Sequence, residues 1–280
     1  MALANLVVVA PAPTAAHTTG SPHYYGNCDQ GSGSWLTIGF TYVGGQFDQV
    51  SAFANVEHLW PCQDNGNVTA ANSGLSLVNA VNLQFADDHV IQLGYGSIAC
   101  PSGFQACNDM GSESFAPGYA MQFWYTKLGD LQDPVIYGAT WVDFDHDGWT
   151  DYPALDETYS FRIAWFSDNT WEYKVCGVTG QYAGLCSSIR QTAHHTYGTE
   201  AWWGFESHNQ ASAFGTPMYN NALKIWNQGY STTNSGTVTI RTAASCHWAW
   251  DAPIPGQNCY TGTDSGSGSA YIRAAEGSHS

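Results

Sequence analysis

The chain has 280 residues, with 7 Lys or Arg against 23 Asp or Glu and a formal charge of −16 at pH 7. That balance excludes the basic patches that hold nucleic acid or anionic membrane surfaces, and so few cations suit an acidic medium, where protonated carboxylates leave little positive self-repulsion. Only 11% of residues are charged, while 14% are aromatic and 30 are Gly, which fits a turn-rich all-β chain better than a helical one.

Residues 1–22, with Pro11, Pro13 and a run of Thr, Ala and Ser, read as an extended arm ahead of a folded unit spanning 23–262. No stretch reaches the roughly 18 apolar residues of a membrane helix. Leu6 to Ala10 is too short for a signal-peptide core, so the start reads as a mature or trimmed form. From residue 35 the pattern is strand-like: 35–43, a Gly44-Gly45 turn, then 47–56, with β-branched and aromatic residues between turn signals. The rhythm recurs at 75–82, 89–95, 119–127, 159–166, 170–175, 200–207 and 237–242. Residues 222–226 allow one short turn of helix, and no longer helical period or internal repeat interrupts the strands. Residues 263–280, rich in Gly and Ser, read as a loosely held tail. Many short strands joined by Gly, Asn and Asp turns predict an all-β fold of two packed antiparallel sheets, a β-sandwich or jelly roll.

Eight cysteines stand at Cys28, Cys62, Cys100, Cys107, Cys176, Cys186, Cys246 and Cys259. Spacing suggests Cys100 with Cys107, Cys176 with Cys186 and Cys246 with Cys259, leaving Cys28 for Cys62, though other connectivities satisfy the same count. No zinc-type Cys or Cys/His spacing competes. An oxidising, extracellular location follows, and the protein is expected to be secreted. Asn67-Val68-Thr69 is a glycosylation sequon, meaningful in a eukaryotic secretory pathway.

Two stretches carry candidate chemistry. In 199–207, strand alternation puts Glu200, Trp202, Gly204 and Glu206 on one face and Ala201, Trp203, Phe205 and Ser207 on the other. In 88–95, Val90, Gln92 and Gly94 share a face. Each set places a polar functional group two residues from a Gly, where a ligand can approach the backbone closely. Taken alone, Glu206 also reads as a surface carboxylate and Gln92 as a polar strand residue bonded across its sheet.

A separate acidic run, Asp143-Phe144-Asp145-His146-Asp147-Gly148-Trp149-Thr150-Asp151, spaces its carboxylates as an EF-hand-type calcium loop does, with Gly at the sharp turn. The expected ligands are Asp143, Asp145, Asp147, the Trp149 carbonyl and Asp151. Ala154 stands where the loop's last Glu belongs, so Asp156 or Glu157 would have to substitute. Without flanking helices, structural Ca2+ here would pin a loop between strands. His194-His195 and His208 suggest a two-His metal site, for which the sequence offers no identifiable third ligand.

Phe47-Asp48-Gln49-Val50-Ser51-Ala52-Phe53-Ala54-Asn55-Val56 resembles the first core hairpin of the glutamic peptidases, the eqolisin or scytalidoglutamic peptidase family. The order of later motifs is also similar: Ile91-Gln92-Leu93-Gly94, then Phe123-Trp124-Tyr125, then strands around 161–166 and 171–175, then Ala201 to Glu206. The resemblance spans about residues 34–242, thinly between motifs. It implies a two-sheet sandwich of the concanavalin A-like kind with catalytic Gln92 and Glu206 on its concave face and Trp124 lining the groove. Trp202, Gly204 and Gly94 complete the expected substrate groove. Trp202 and Gly204 depart from the family's Ala-Glu-Trp/Phe-Ile-Ile/Val-Glu pattern, and 75–80 lacks the family's Trp-Val-Gly-Ile-Asp-Gly strand. The plant peptidase neprosin is similar in fold but uses two Glu, so Gln92 follows the eqolisin pattern.

Such a pair implies peptide hydrolysis by water, without a catalytic cofactor: Glu206 as base and then acid, Gln92 orienting the water and donating to the oxyanion. A monomeric acid endopeptidase acting on protein or peptide substrates is the resulting expectation. The alternatives are a non-catalytic carbohydrate-binding sandwich and a glycoside hydrolase. The latter needs two carboxylates roughly 5–10 Å apart, and Glu200 and Glu206, about 20 Å apart on an extended strand, are not that pair.

Overall fold

The computed structural model describes residues 36–57, 59–60, 76–99, 119–127, 135–192, 195–207, 213–214, 223–233, 235–246 and 257–276. The arm at 1–22, the sequon, His194, His208 and Cys28, Cys62, Cys100 and Cys107 lie outside the described residues. The regular structure described is all strand. In chain order it comprises β1 (Leu36–Asn55), β2 (Leu59–Trp60), β3 (Ser76–Gln84), β4 (Val90–Ala99), β5 (Tyr119–Lys127) and β6 (Val135–Gly138). Then come β7 (Thr158–Phe166), β8 (Thr170–Gly177), β9 (Cys186–Thr192), β10 (Gly198–Ser207) and β11 (Ala213–Phe214). The chain continues with β12 (Leu223–Thr232), β13 (Thr239–Ile240), β14 (Gln257–Thr263) and β15 (Ala270–Glu276).

The long strand β1 belongs to two sheets. Its first part pairs with β10, from Leu36 opposite Ser207 to Phe47 opposite Gly198. Beyond β10 follow β3, β4, β5 and β6, all antiparallel. Its second part lies between β12 and β7, with Val50 opposite both Tyr230 and Ile163. This second sheet extends through β8 to β9 on one side and through β15 to β14 on the other. Gly44-Gly45, expected as a hairpin turn, instead lies within β1, where the register with β10 slips between Gly44 and Phe47. Two residues without side chains let the strand bend there from one sheet into the other.

The sheets pack face to face through the positions that alternation predicts. Val81, Leu83, Ile91, Leu93, Tyr95, Phe123, Trp203 and Phe205 from one meet Val50, Phe161, Ile163, Trp171, Tyr173 and Val175 from the other in one buried core. Ring pairs join the layers, Tyr125 with Tyr173 at 5.3 Å and Phe123 with Tyr159 at 5.0 Å. The Trp203 Nε1–H donates to the Ser51 carbonyl at 2.7 Å, so the indole is buried without losing its hydrogen bond. Asn55, the polar end of the first motif, accepts the Lys224 backbone N–H at 2.5 Å and donates to Glu57 at 2.6 Å. That residue is thereby fastened to the neighbouring strand.

Two expectations fail at the C-terminal end. Residues 223–226, where a turn of helix was expected, are not helical: they open β12, whose Leu223 and Ile225 are fully buried opposite Ala274 and Ile272. The supposed tail holds β15, between β12 and β14, because Ala270, Ile272 and Ala274 alternate onto the core face. Among its described residues only the Gly/Ser run at 264–269 is a turn, built on Asp264, which accepts the Ser267 N–H at 3.1 Å. Disulfides join Cys176 to Cys186, directly opposed on β8 and β9, and Cys246 to Cys259.

Candidate active site

The sheet β1-β10-β3-β4-β5-β6 turns its second face away from the core, and every predicted site residue of the dyad and groove stands on it. Directly opposed residues in antiparallel strands share a face. One row runs Tyr42, Trp202, Asn82, Gln92 across β1, β10, β3 and β4. Another runs Thr37, Glu206, Leu77, Gly96, Gln122 from β1 to β5. Between them Gly94 stands opposite Trp124. Gln92 and Glu206 are thus on the same face, separated by β3 and by four residues along β10.

Between the two rows the sheet is deformed. On β1, Gly39 and Phe40 together oppose Gly204, and on β3 the register slips between Val78 and Val81. Both strands flanking β10 therefore carry a bulge at the same level, and bulges bend a strand and increase its twist. Gly39 is in the left-handed region at φ 65°, the conformation a Gly-type bulge requires.

That bulge has a consequence for the groove. It turns Phe40 onto the polar face, where its ring stands edge-on to Trp202 at 4.5 Å and, with Val90, forms a small apolar cluster apart from the main core. A Cβ on Gly204 would lie 2.0 Å from the Phe40 ring. Gly204 is therefore not open backbone awaiting a ligand, as expected from sequence; the missing side chain is what admits Phe40. Glu206 is 4% exposed, Gln92 8% and Trp202 3%, and Trp124 is wholly buried. The face is a covered site rather than an open trough.

Burial makes the polar groups here costly unless they are bonded. The Gln92 backbone N–H donates to Thr126 Oγ1 at 2.6 Å, and that hydroxyl donates to the Val90 carbonyl at 3.3 Å, fixing the strand beneath the amide. The Asn82 Nδ2 donates to the Trp202 carbonyl at 3.3 Å. By contrast Asn82 Oδ1, Gln122 Nε2 and Trp124 Nε1 are buried with no hydrogen-bond partner among the described residues. One acceptor and two donors are left on the face that carries Glu206. Sequence reading missed Asn82, whose signal was the same even-position alternation that exposed Gln92. At the rim, Glu200 accepts the Tyr42 hydroxyl, and this bond, with burial, pushes the phenol up to about 12.

The acidic run forms a tight loop after β6. The carboxylate oxygens of Asp143, Asp145 and Asp151 lie within 4.8 Å of one another. Asp143 accepts the N–H groups of Asp147 at 3.2 Å and Gly148 at 3.1 Å, and Asp147 accepts the Trp149 N–H at 2.9 Å. Asp151 is buried and receives the Phe144 N–H at 2.6 Å and the Tyr182 hydroxyl. Glu157, a possible final ligand, is occupied instead by the Tyr159 hydroxyl at 2.8 Å and the Gln181 N–H at 3.0 Å. An oxygen-only set of this kind suits a hard cation.

No protein-family model matches the sequence, and no curated protein matches it. Among solved structures, the chain is similar to scytalido-glutamic peptidase with a peptide-based transition state analog, at 12% identity and a TM-score of 0.46, over 86% of this chain and 98% of that one. It is similar over the same shares to SCP-B, a member of the eqolisin family of peptidases in complex with the tripeptide Ala-Ile-His, at 12% identity and a TM-score of 0.45.

Proposed function

We propose that this chain is a secreted, monomeric endopeptidase of the glutamic type, cleaving peptide bonds at acidic pH with one water activated between Glu206 and Gln92. The observation that carries this reading is a buried carboxyl and a buried amide on one sheet face, beside one acceptor and two donors that have no partner among the described residues. A peptide backbone offers the complementary groups: N–H for Asn82, C=O for Gln122 and Trp124. The motif order from 47 to 206 agrees with the assignment, and the two disulfides agree with secretion.

In this mechanism the Glu206 carboxylate takes a proton from water as its oxygen attacks the scissile carbonyl carbon. The Gln92 Nε2–H donates to the oxygen that gains negative charge. When the C–N bond breaks, Glu206 returns the proton to the leaving amine, ending ionised as it began. Glu206→Gln keeps the shape and removes both proton transfers; kcat on an unfolded protein substrate between about pH 2 and 6 is expected to fall by about 10²–10⁴. Gln92→Ala is expected to cost about 10²–10³ through the lost oxyanion donor. Pepstatin in the assay excludes contaminating aspartic peptidases. Turnover that survives Glu206→Gln overturns the reading.

The loop of Asp143, Asp145, Asp147, Trp149 and Asp151 is proposed to hold structural Ca2+. Adding about 1 mM calcium to chelated protein is expected to raise the melting temperature. An unchanged melting temperature removes the site.

A further inference from the structure

A second cluster of metal-ligand type lies away from the polar face, between the β3–β4 turn and the segment entering β10. Asp87 Oδ2 is 3.0 Å from His89 Nδ1 and 2.8 Å from His195 Nε2, and the three groups present their ligand atoms within 4.8 Å of one another. These residues come from two segments more than a hundred positions apart, so their meeting is a product of the fold. His195 is the second residue of the His-His pair for which the sequence offers no third ligand. Asp87 and His89 supply what was missing.

Each member is held in place. Within the turn, the Phe85 N–H donates to the His89 carbonyl at 2.8 Å and the Asp88 N–H to the Phe85 carbonyl at 3.1 Å, with Asp88 in the left-handed region at φ 65°. The His195 ring stacks on Phe85 at 4.5 Å, 18° from parallel, and its own carbonyl accepts the Trp171 Nε1–H at 2.8 Å. Phe85 and Trp171 are themselves buried, so the imidazole is mounted on the core. Both histidines remain 30% exposed and Asp87 44% exposed, leaving an approach from solvent.

From this geometry we infer that Asp87, His89 and His195 form a binding site for one transition-metal dication of the Zn2+ class. Two neutral imidazole nitrogens and one carboxylate oxygen are an established ligand set for such ions. With bonds of about 2.0–2.2 Å, tetrahedral ligand atoms stand about 3.3–3.6 Å apart. The two observed separations, 3.0 and 2.8 Å, are shorter and of hydrogen-bond length, so the ligand atoms must part by roughly half an ångström to admit an ion. Binding exchanges the bridging protons for the metal, and water fills the outward position. The ion would tie the β3–β4 turn to the chain that leads into Gly198, Trp202 and Glu206. Calcium, which prefers oxygen donors, belongs in the acidic loop and not here.

The test uses the whole chain, stripped with a chelator and kept in excess calcium. Calorimetric titration with ZnCl2 is expected to show one tight equivalent, weakened at least about tenfold in His195→Gln and in Asp87→Asn. In unsubstituted protein, imidazole proton resonances of His89 and His195 are expected to shift or broaden with the first equivalent of Zn2+. Failure of Zn2+ to bind overturns the proposal. So does binding that both substitutions leave unchanged, or resonance shifts confined to other histidines. If a variant fails to fold, the resonances of the unsubstituted protein decide the matter alone.

Discussion

Gly204 shows how a single absent side chain shapes the candidate site. Its place on the Glu206 face is filled by Phe40, which the Gly39 bulge turns inward. A Cβ at 204 would meet the Phe40 ring at 2.0 Å and the Gly39 carbonyl at 2.6 Å, and the second contact is backbone that no rotamer change relieves. Gly204→Ala is therefore expected to destabilise by about 1–3 kcal/mol, and to lower the melting temperature by about 2–6 °C for a domain of this size. Thermal denaturation of the purified variant checks it. A melting temperature equal to that of the parent would mean that Phe40 does not occupy this space.

At the scale of elements, the strands with clear period-2 patterns were legible: β3, β4, β5, β7, β8 and β10 lie close to their expected ranges. What sequence did not reveal depended on partners. β12 opens Leu-Lys-Ile-Trp, a pattern too short to separate a strand from a turn of helix, and it becomes a strand because β1 and β15 bond it on both sides. β15 hides in a Gly/Ser-rich context because its core residues are small, Ala270 and Ala274 beside Ile272. The site was legible in the same measure. Alternation gave the face shared by Gln92 and Glu206, whereas the bulges that seat Phe40 over Gly204 exist only in strand register.

The turn between β14 and β15 is tied to β12 by Lys224, whose ammonium meets the Asp264 carboxylate. That contact, with the Ser267 hydroxyl, holds Asp264 down at about 2. A carboxyl whose folded value lies below its unfolded value of about 3.9 contributes stability above that value and loses it as pH falls through about 2. Lys224→Met is expected to lower the melting temperature by about 2 °C at pH 5, since a partly exposed pair contributes at most about 1 kcal/mol. The difference from the parent should close between about pH 4 and 2. A gap constant over that window would assign the loss to lysine's packing on Trp226 and Tyr271 instead.

The whole molecule carries −16 formal charges at pH 7, with only 7 Lys and Arg to offset 23 acidic residues. Self-repulsion of that size opposes the compact state and is screened by salt, with a Debye length of about 10 Å at 0.1 M. Lowering the pH removes the burden in two stages. Protonating the ten histidines cancels ten of the sixteen negative charges, and titration of carboxylates then brings the chain to neutrality near its pI of 4.6. Raising NaCl from about 0.05 to 0.5 M, a range over which the Debye length shortens from about 14 to 4 Å, is therefore expected to raise the melting temperature at pH 7.5. The same change should have little effect near pH 4.6, where no net repulsion is left to screen. Differential scanning fluorimetry at the two pH values measures both slopes. Equal slopes would show that salt acts through hydrophobic burial or ion binding and not through net charge, and would remove the electrostatic reason for expecting this fold to be at ease in acid.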